Sequence, residues 1–211
     1  MLVPLLLIIK ANNMKINFLN KSTFLVFISL LFITSCDNDN DPTNNVCDNS
    51  YVSTAITDAF STANGYDDLA EFMDLKTHQY RIKINADGEI CSVGYQNPST
   101  WTGDYVIEII NETTTASYSG THSFSQAQLE YQNINPVIVT SGDIIKVMRT
   151  ISNNSNLGET VGRILRKSDF SDVPYPITQG NVEFLSSDFY GSGGPMPNFG
   201  QPYIALGFKV N

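Results

Sequence analysis

The sequence predicts a mainly β protein: a single antiparallel β-sandwich, with a barrel as the alternative, and one candidate short helix on its N-terminal side. Three observations carry this. From residue 79 onward, apolar and polar residues alternate at period two over many short runs. Turn residues punctuate those runs at intervals of about 8–12 residues. Only one stretch, 52–63, has helical spacing.

In that stretch Val52, Ala55, Ile56, Ala59, Phe60 and Ala63 fall on one helical face, and Asn64-Gly65 marks its end. Thr54 and Thr57 lower the propensity and leave a strand as the alternative. Residues 79–84, QYRIKI, place Tyr80, Ile82 and Ile84 on one side. The turn Asn85-Ala86-Asp87-Gly88 then returns the chain as a partner strand over 89–95, which Asn97-Pro98 ends. Residues 105–110 form an almost continuous apolar strand broken by Glu108, and 116–124 alternates with small residues. Strands at 129–134, 136–140 and 144–151 follow, the last two joined by Ser141-Gly142-Asp143. Shorter ones at 161–165 and 182–185 precede a closing strand at 203–210.

The first part of the chain reads as an address. FLVFISLLFI, 24–33, is an apolar run ten residues long, about half of what a spanning helix needs. Lys15 and Lys21 precede it and Thr34-Ser35-Cys36 follow, the order of a secretory leader with a small-residue cleavage site. Ile33-Thr34-Ser35-Cys36 resembles the lipobox of bacterial lipoproteins. The resemblance implies a lipid on the Cys36 thiol and a cut before it, so 1–35 is a signal peptide. A second apolar run at 2–9 lies upstream, and Met14 is the expected start of the leader. Residues 36–50 begin CDNDNDPTNN, too polar to pack, and form a flexible tether. Its acidic start resembles the signal that sends lipoproteins of one Gram-negative group to the outer face of the outer membrane. The folded domain is then 51–211.

The whole chain carries 12 Lys+Arg against 21 Asp+Glu. The leader holds three of those lysines and no acid, so 36–211 has nine against 21, a net charge near −12. That repels nucleic acid, whose binding requires phosphate neutralisation. With Cys36 lipidated, Cys47 and Cys91 remain. A disulfide between them suits an oxidising compartment and closes a loop of about 45 residues; two buried thiols are the alternative.

YRIKINADGEICSVGYQ, TGDYVIEI, NPVIVTSGDIIKVMRTI and PNFGQPYIALGF occur in an order that resembles a bacterial jelly-roll module found on surface and carbohydrate-active proteins. The resemblance implies the fold over 67–210. This chain has Lys146 or Val147 where the module has an aromatic, and Ala205 where it has an aspartate, so no site is carried over.

No nucleophile elbow and no metal-ligand spacing is present, and the two histidines, His78 and His122, belong to or border strands. Glu108 is the one acid within a strongly apolar strand and the candidate for a perturbed carboxyl. Asp67-Asp68, Asp169, Asp172 and Asp188 are read as loop carboxylates that could hold a structural calcium; no other cofactor is implied. The binding candidate is Trp101, in the loop PSTWTGDY, with Tyr95 and Tyr105 beside it and Tyr190 and Phe199 at the same end. The functional expectation is therefore a non-catalytic binding or accessory module for glycan or a partner protein. A lipoprotein hydrolase using Glu108 with a loop aspartate is the alternative.

Overall fold

The computed structural model describes residues 46–72, 76–98, 103–152, 162–191 and 194–211, all within one compact unit, Thr43–Asn211. The protein is mainly β, with sheets packed as a sandwich and one short helix. Helix α1 is Tyr51–Ala59, followed by a 3-10 turn at Thr62–Asn64. The strands are β1 (Tyr66–Phe72), β2 (Thr77–Ile84), β3 (Gly88–Tyr95), β4 (Tyr105–Asn111), β5 (Ser117–His122) and β6 (Glu130–Val139). They continue with β7 (Asp143–Ile151), β8 (Gly162–Lys167), β9 (Ile177–Gln179), β10 (Val182–Gly191), β11 (Gly194–Pro197), β12 (Gln201–Pro202) and β13 (Ala205–Val210). Among the described residues no helix is long and apolar enough to cross a membrane.

The large sheet has the order β11-β10-β2-β7-β4-β5, with β9 also paired to β10. Opposite it lies β13-β3-β6, and β1-β8-β12 forms a third, smaller sheet. Tyr80, Ile82 and Ile84 occupy one face of β2 and are fully buried, as their spacing predicts. Ile107 and Ile109 of β4 and Ile145 and Val147 of β7 continue that inner face. It packs in one core with Ile90, Val93, Leu206 and Phe208 of the small sheet.

Two turns expected to make hairpins do something else. β2 pairs with β7 and β10, whereas β3 pairs with β6 and β13. The turn at 85–87 therefore carries the chain from one sheet to the other, and 140–142 does the same between β6 and β7. Turn residues specify a reversal of direction, but not whether the next strand stays in the same layer. The corners lock together: Gly142 N donates to Ile84 O at 2.8 Å, and Ser141 N to Asp87 Oδ1 at 2.7 Å. Gly88 admits no side chain, because a Cβ there would lie 2.2 Å from Lys209 O.

Other elements differ in extent. The helix ends at Ala59, four residues early, because Asn64 Nδ2 caps its last turn through Asp58 O (2.9 Å) and Ala59 O (3.0 Å). Gly65, at φ 80°, then turns the chain into β1. The runs 129–134 and 136–140 are one strand, β6, whose register against β3 shifts between Ile90 and Ser92. Pro136 is tolerated there because β6 is an edge and the shift absorbs its missing N–H.

Candidate functional site

Trp101 lies outside the described residues. The structure moves its two expected companions from the surface to the interior. Tyr95 ends β3 and Tyr105 begins β4, and both are fully buried, with rings in edge-to-face contact at 5.1 Å. Tyr105 shares the inward parity of Ile107 and Ile109, so the alternation of β4 draws it into the core rather than onto a binding platform. Arg149 has the inward parity of β7, and its guanidinium carbon lies 4.8 Å from the Tyr105 ring centre and 5.7 Å from that of Tyr95. The ring faces thus serve a buried cation. Burial, with Tyr95 as a lesser contributor, pushes the Tyr105 hydroxyl well above its ordinary pKa.

His78 is the strand partner of Arg149 and is fully buried. Its ring meets Phe189 at 4.8 Å, and neither nitrogen has a hydrogen-bond partner among the described residues. Gly162 makes the fit possible: a Cβ there would stand 2.3 Å from the imidazole. Burial first, and the Arg149 charge second, hold the His78 pKa well below 6.5, so the ring is a neutral packing element.

A pH dependence follows. Well above pH 6.5 His78 is neutral in both folded and unfolded chains and contributes no slope. As pH falls below 6.5, the unfolded chain takes up a proton that the folded chain refuses, so stability drops by about 1.4 kcal/mol per pH unit. The decline continues down to the depressed folded pKa. Denaturant titrations at pH 7.5, 6.5 and 5.5, with His78→Gln as control, should show this increment in the wild type alone. Equal slopes in both proteins would rule His78 out as its source.

The other candidates disperse. Glu108 points to the outer face of β4, its strand neighbours being Ser119 and Met148. His122 is satisfied by Tyr118 Oη and Gln132 Oε1, each at 2.8 Å. Asp67, Asp68 and Asp188 belong to strands rather than loops. Asp68 pairs with Arg163, and Asp188 with Arg81. Among the described residues no three His, Cys, Asp or Glu side chains converge as a metal site.

The aromatic that is displayed lies beyond the end of β8. Phe170 is 68% exposed, the most exposed large apolar side chain among the described residues. Its φ is 61°, a conformation that costs a residue with a Cβ about 1–2 kcal/mol. Something must hold it, and Arg166 does. This side chain, 5% exposed, donates to the carbonyls of Phe170, Ser171 and Phe199. Its guanidinium carbon sits 3.7 Å from the centre of the Phe199 ring, which in turn packs edge-on against Phe189. Asp169 closes the turn by accepting from Ser171 N (3.0 Å) and Ser171 Oγ (2.6 Å), contacts that lower its pKa. Buried Val173 anchors the loop's far side through Asn198 O at 2.8 Å.

The result is a fixed loop that presents one aromatic ring between two exposed carboxylates, Asp169 and Asp172. Sequence reasoning missed it, although the signal resembles the one that singled out Trp101: a lone aromatic in a polar run, KSDFSD. No protein-family profile matches the chain, and a search of curated proteins finds no match.

Proposed function

We propose that the chain is an outer-membrane lipoprotein, held at the cell surface by lipid on Cys36. Its β-sandwich is a non-catalytic binding module that docks a partner protein through the Phe170 loop. Support for the anchor is the ordered series of Lys15, Lys21, the apolar run 24–33 and Thr34-Ser35-Cys36, with the acidic tether behind it. The observation that carries the docking is Phe170 itself, an exposed ring on a backbone that Arg166 has already ordered. Such a ring loses little entropy on contact, and preordered aromatics are the usual anchors of interfaces. Its flanking carboxylates suit a partner with an apolar pocket and a basic rim. The hydrolase alternative, Glu108 with a loop aspartate, has no comparable support: Glu108 lies on the outer face of β4 beside Ser119 and Met148, and of the aspartates read as loop residues Asp67, Asp68 and Asp188 belong to strands, with Asp68 and Asp188 paired to arginines.

A photo-crosslinking residue at position 170 in intact cells should give one discrete protein adduct. The same residue at Ile138, 57% exposed on β6, should not. Cys36→Ser should abolish the adduct by removing the protein from the surface. Phe170→Ala should leave the thermal midpoint within about 2 °C, because the ring packs on little. A smear that collapses on glycosidase treatment would point to glycan instead, and equal labelling at 138 and 170 would defeat the docking reading.

A further inference from the structure

A second, independent feature is a hollow of about 250 Å³ between α1 and the turn that joins β9 to β10. Tyr51, Thr54 and Asp58 line it from α1, at spacings that bring side chains to one stripe of a helix. Gln179 and Asn181 line it from the turn, where Gly180 adopts φ 57°. Ala55 and Val182, both buried, make its floor.

We propose that this hollow is a subsite for an uncharged sugar ring. Its chemistry is that of hydroxyl recognition. A carboxylate accepts from two hydroxyls, each amide both donates and accepts, and the threonine hydroxyl does either. Gln179 Nε2 already donates to Asp58 Oδ2 at 3.4 Å, so these groups are positioned side by side before any ligand arrives. Among the described residues the lining contains no Lys, Arg or His. Uronate or phosphate would therefore meet Asp58 without a compensating cation, in a protein of net charge −9.

The hollow also has a continuation. Tyr51 is shared with a second, larger concavity of about 560 Å³ whose apolar walls include Val46, Phe208 and Val210. The Tyr51 ring is supported from behind by Phe208, at 4.9 Å between centres. A chain of sugar rings laid across Tyr51 would keep hydroxyls on the polar side and C–H faces on the apolar side. This site is separate from docking at Phe170 and does not depend on it.

The test uses the full-length protein in a detergent that has no sugar headgroup. Neutral glucan, mannan and chitin oligosaccharides and an oligogalacturonide are titrated by calorimetry. At least one neutral oligosaccharide should saturate, and the oligogalacturonide should not bind. Asp58→Ala and Asn181→Ala should each weaken the neutral ligand about tenfold with unchanged thermal midpoints. Phe170→Ala should bind it as wild type does. The proposal fails if no neutral probe saturates, if the oligogalacturonide binds as tightly, or if both cleft variants match wild type.

Discussion

Replacing Cys47 and Cys91 together by serine should lower stability by about 4 kcal/mol. The structure joins these cysteines in a disulfide with a sequence separation of 44. Chain-entropy arithmetic for a loop of that length gives roughly 4 kcal/mol, because the unfolded chain regains the freedom the bridge removes. The native side adds a reason the bridge matters locally. It fastens the segment before α1 to β3, while Asp48 and Phe208 exchange two backbone hydrogen bonds of 3.0 Å that fasten the same segment to β13. Gly207 makes room: a Cβ there would stand 2.2 Å from Ser92 Oγ and 2.9 Å from Cys47 Sγ. Without the bridge, α1 is held by that short pairing and by the packing of Val52, Ala55, Ile56 and Ala59. A thermal midpoint about 8–16 °C lower is expected. Faster amide exchange should appear first over 47–59. A loss below about 1 kcal/mol would mean that the unfolded chain is already restrained without the bridge or that the bridge strains the native fold.

How far the sequence reveals this molecule depends on which physical quantity each feature obeys. The inner face of β2 was legible because alternation alone decides it, and Tyr80, Ile82 and Ile84 have the right parity. The corners at 85–87 and 140–142 were not, since the choice between hairpin and sheet crossing rests on contacts distant in sequence. β1 escaped notice because Asp67, Asp68 and Glu71 make it read as a loop. It is an edge strand paired only with β8, and acidic edges resist pairing with other chains. Tyr105 has the parity of Ile107 and is buried with it; its nearness to Trp101 in sequence does not decide which face it takes. Arg149 stands in the series Ile145, Val147, Arg149, Ile151 and so was a visible buried cation. The Phe170 loop depends on both local sequence and distant contacts. Its lone aromatic was in view, but its rigidity comes from Arg166, which reaches carbonyls as far away as Phe199.

That dependence makes Arg166 the residue where fold and proposed function meet, and Arg166→Lys the most informative substitution. A lysine keeps the charge and has three N–H donors, but they radiate from one nitrogen, whereas the arginine fork reaches Ser171 and Phe199 from Nη1 and Phe170 from Nη2. Hydrogen bonds to a charged donor contribute about 1.5–3 kcal/mol each, and the contributions are not additive when one side chain makes them all. A loss of about 3 kcal/mol is expected, together with the stacking on Phe199. The functional consequence is larger than that figure suggests. Phe170 N keeps its bond to Lys167 O and Asp169 its bonds to Ser171, but the Phe170 carbonyl loses its one partner among the described residues, so the left-handed backbone there is held less firmly and its intrinsic cost of about 1–2 kcal/mol favours release. At a temperature well below the midpoint, amides at 167–173 should exchange faster while those of β2 and β7 keep their protection. In the same folded protein, the adduct formed from position 170 should fall several-fold although residue 170 is unaltered. A purely structural role would lower the midpoint and leave the adduct intact at that temperature. If Arg166→Lys retains both the adduct and the loop protection, Phe170 is displayed by something other than Arg166, and the preordering on which its docking rests is lost.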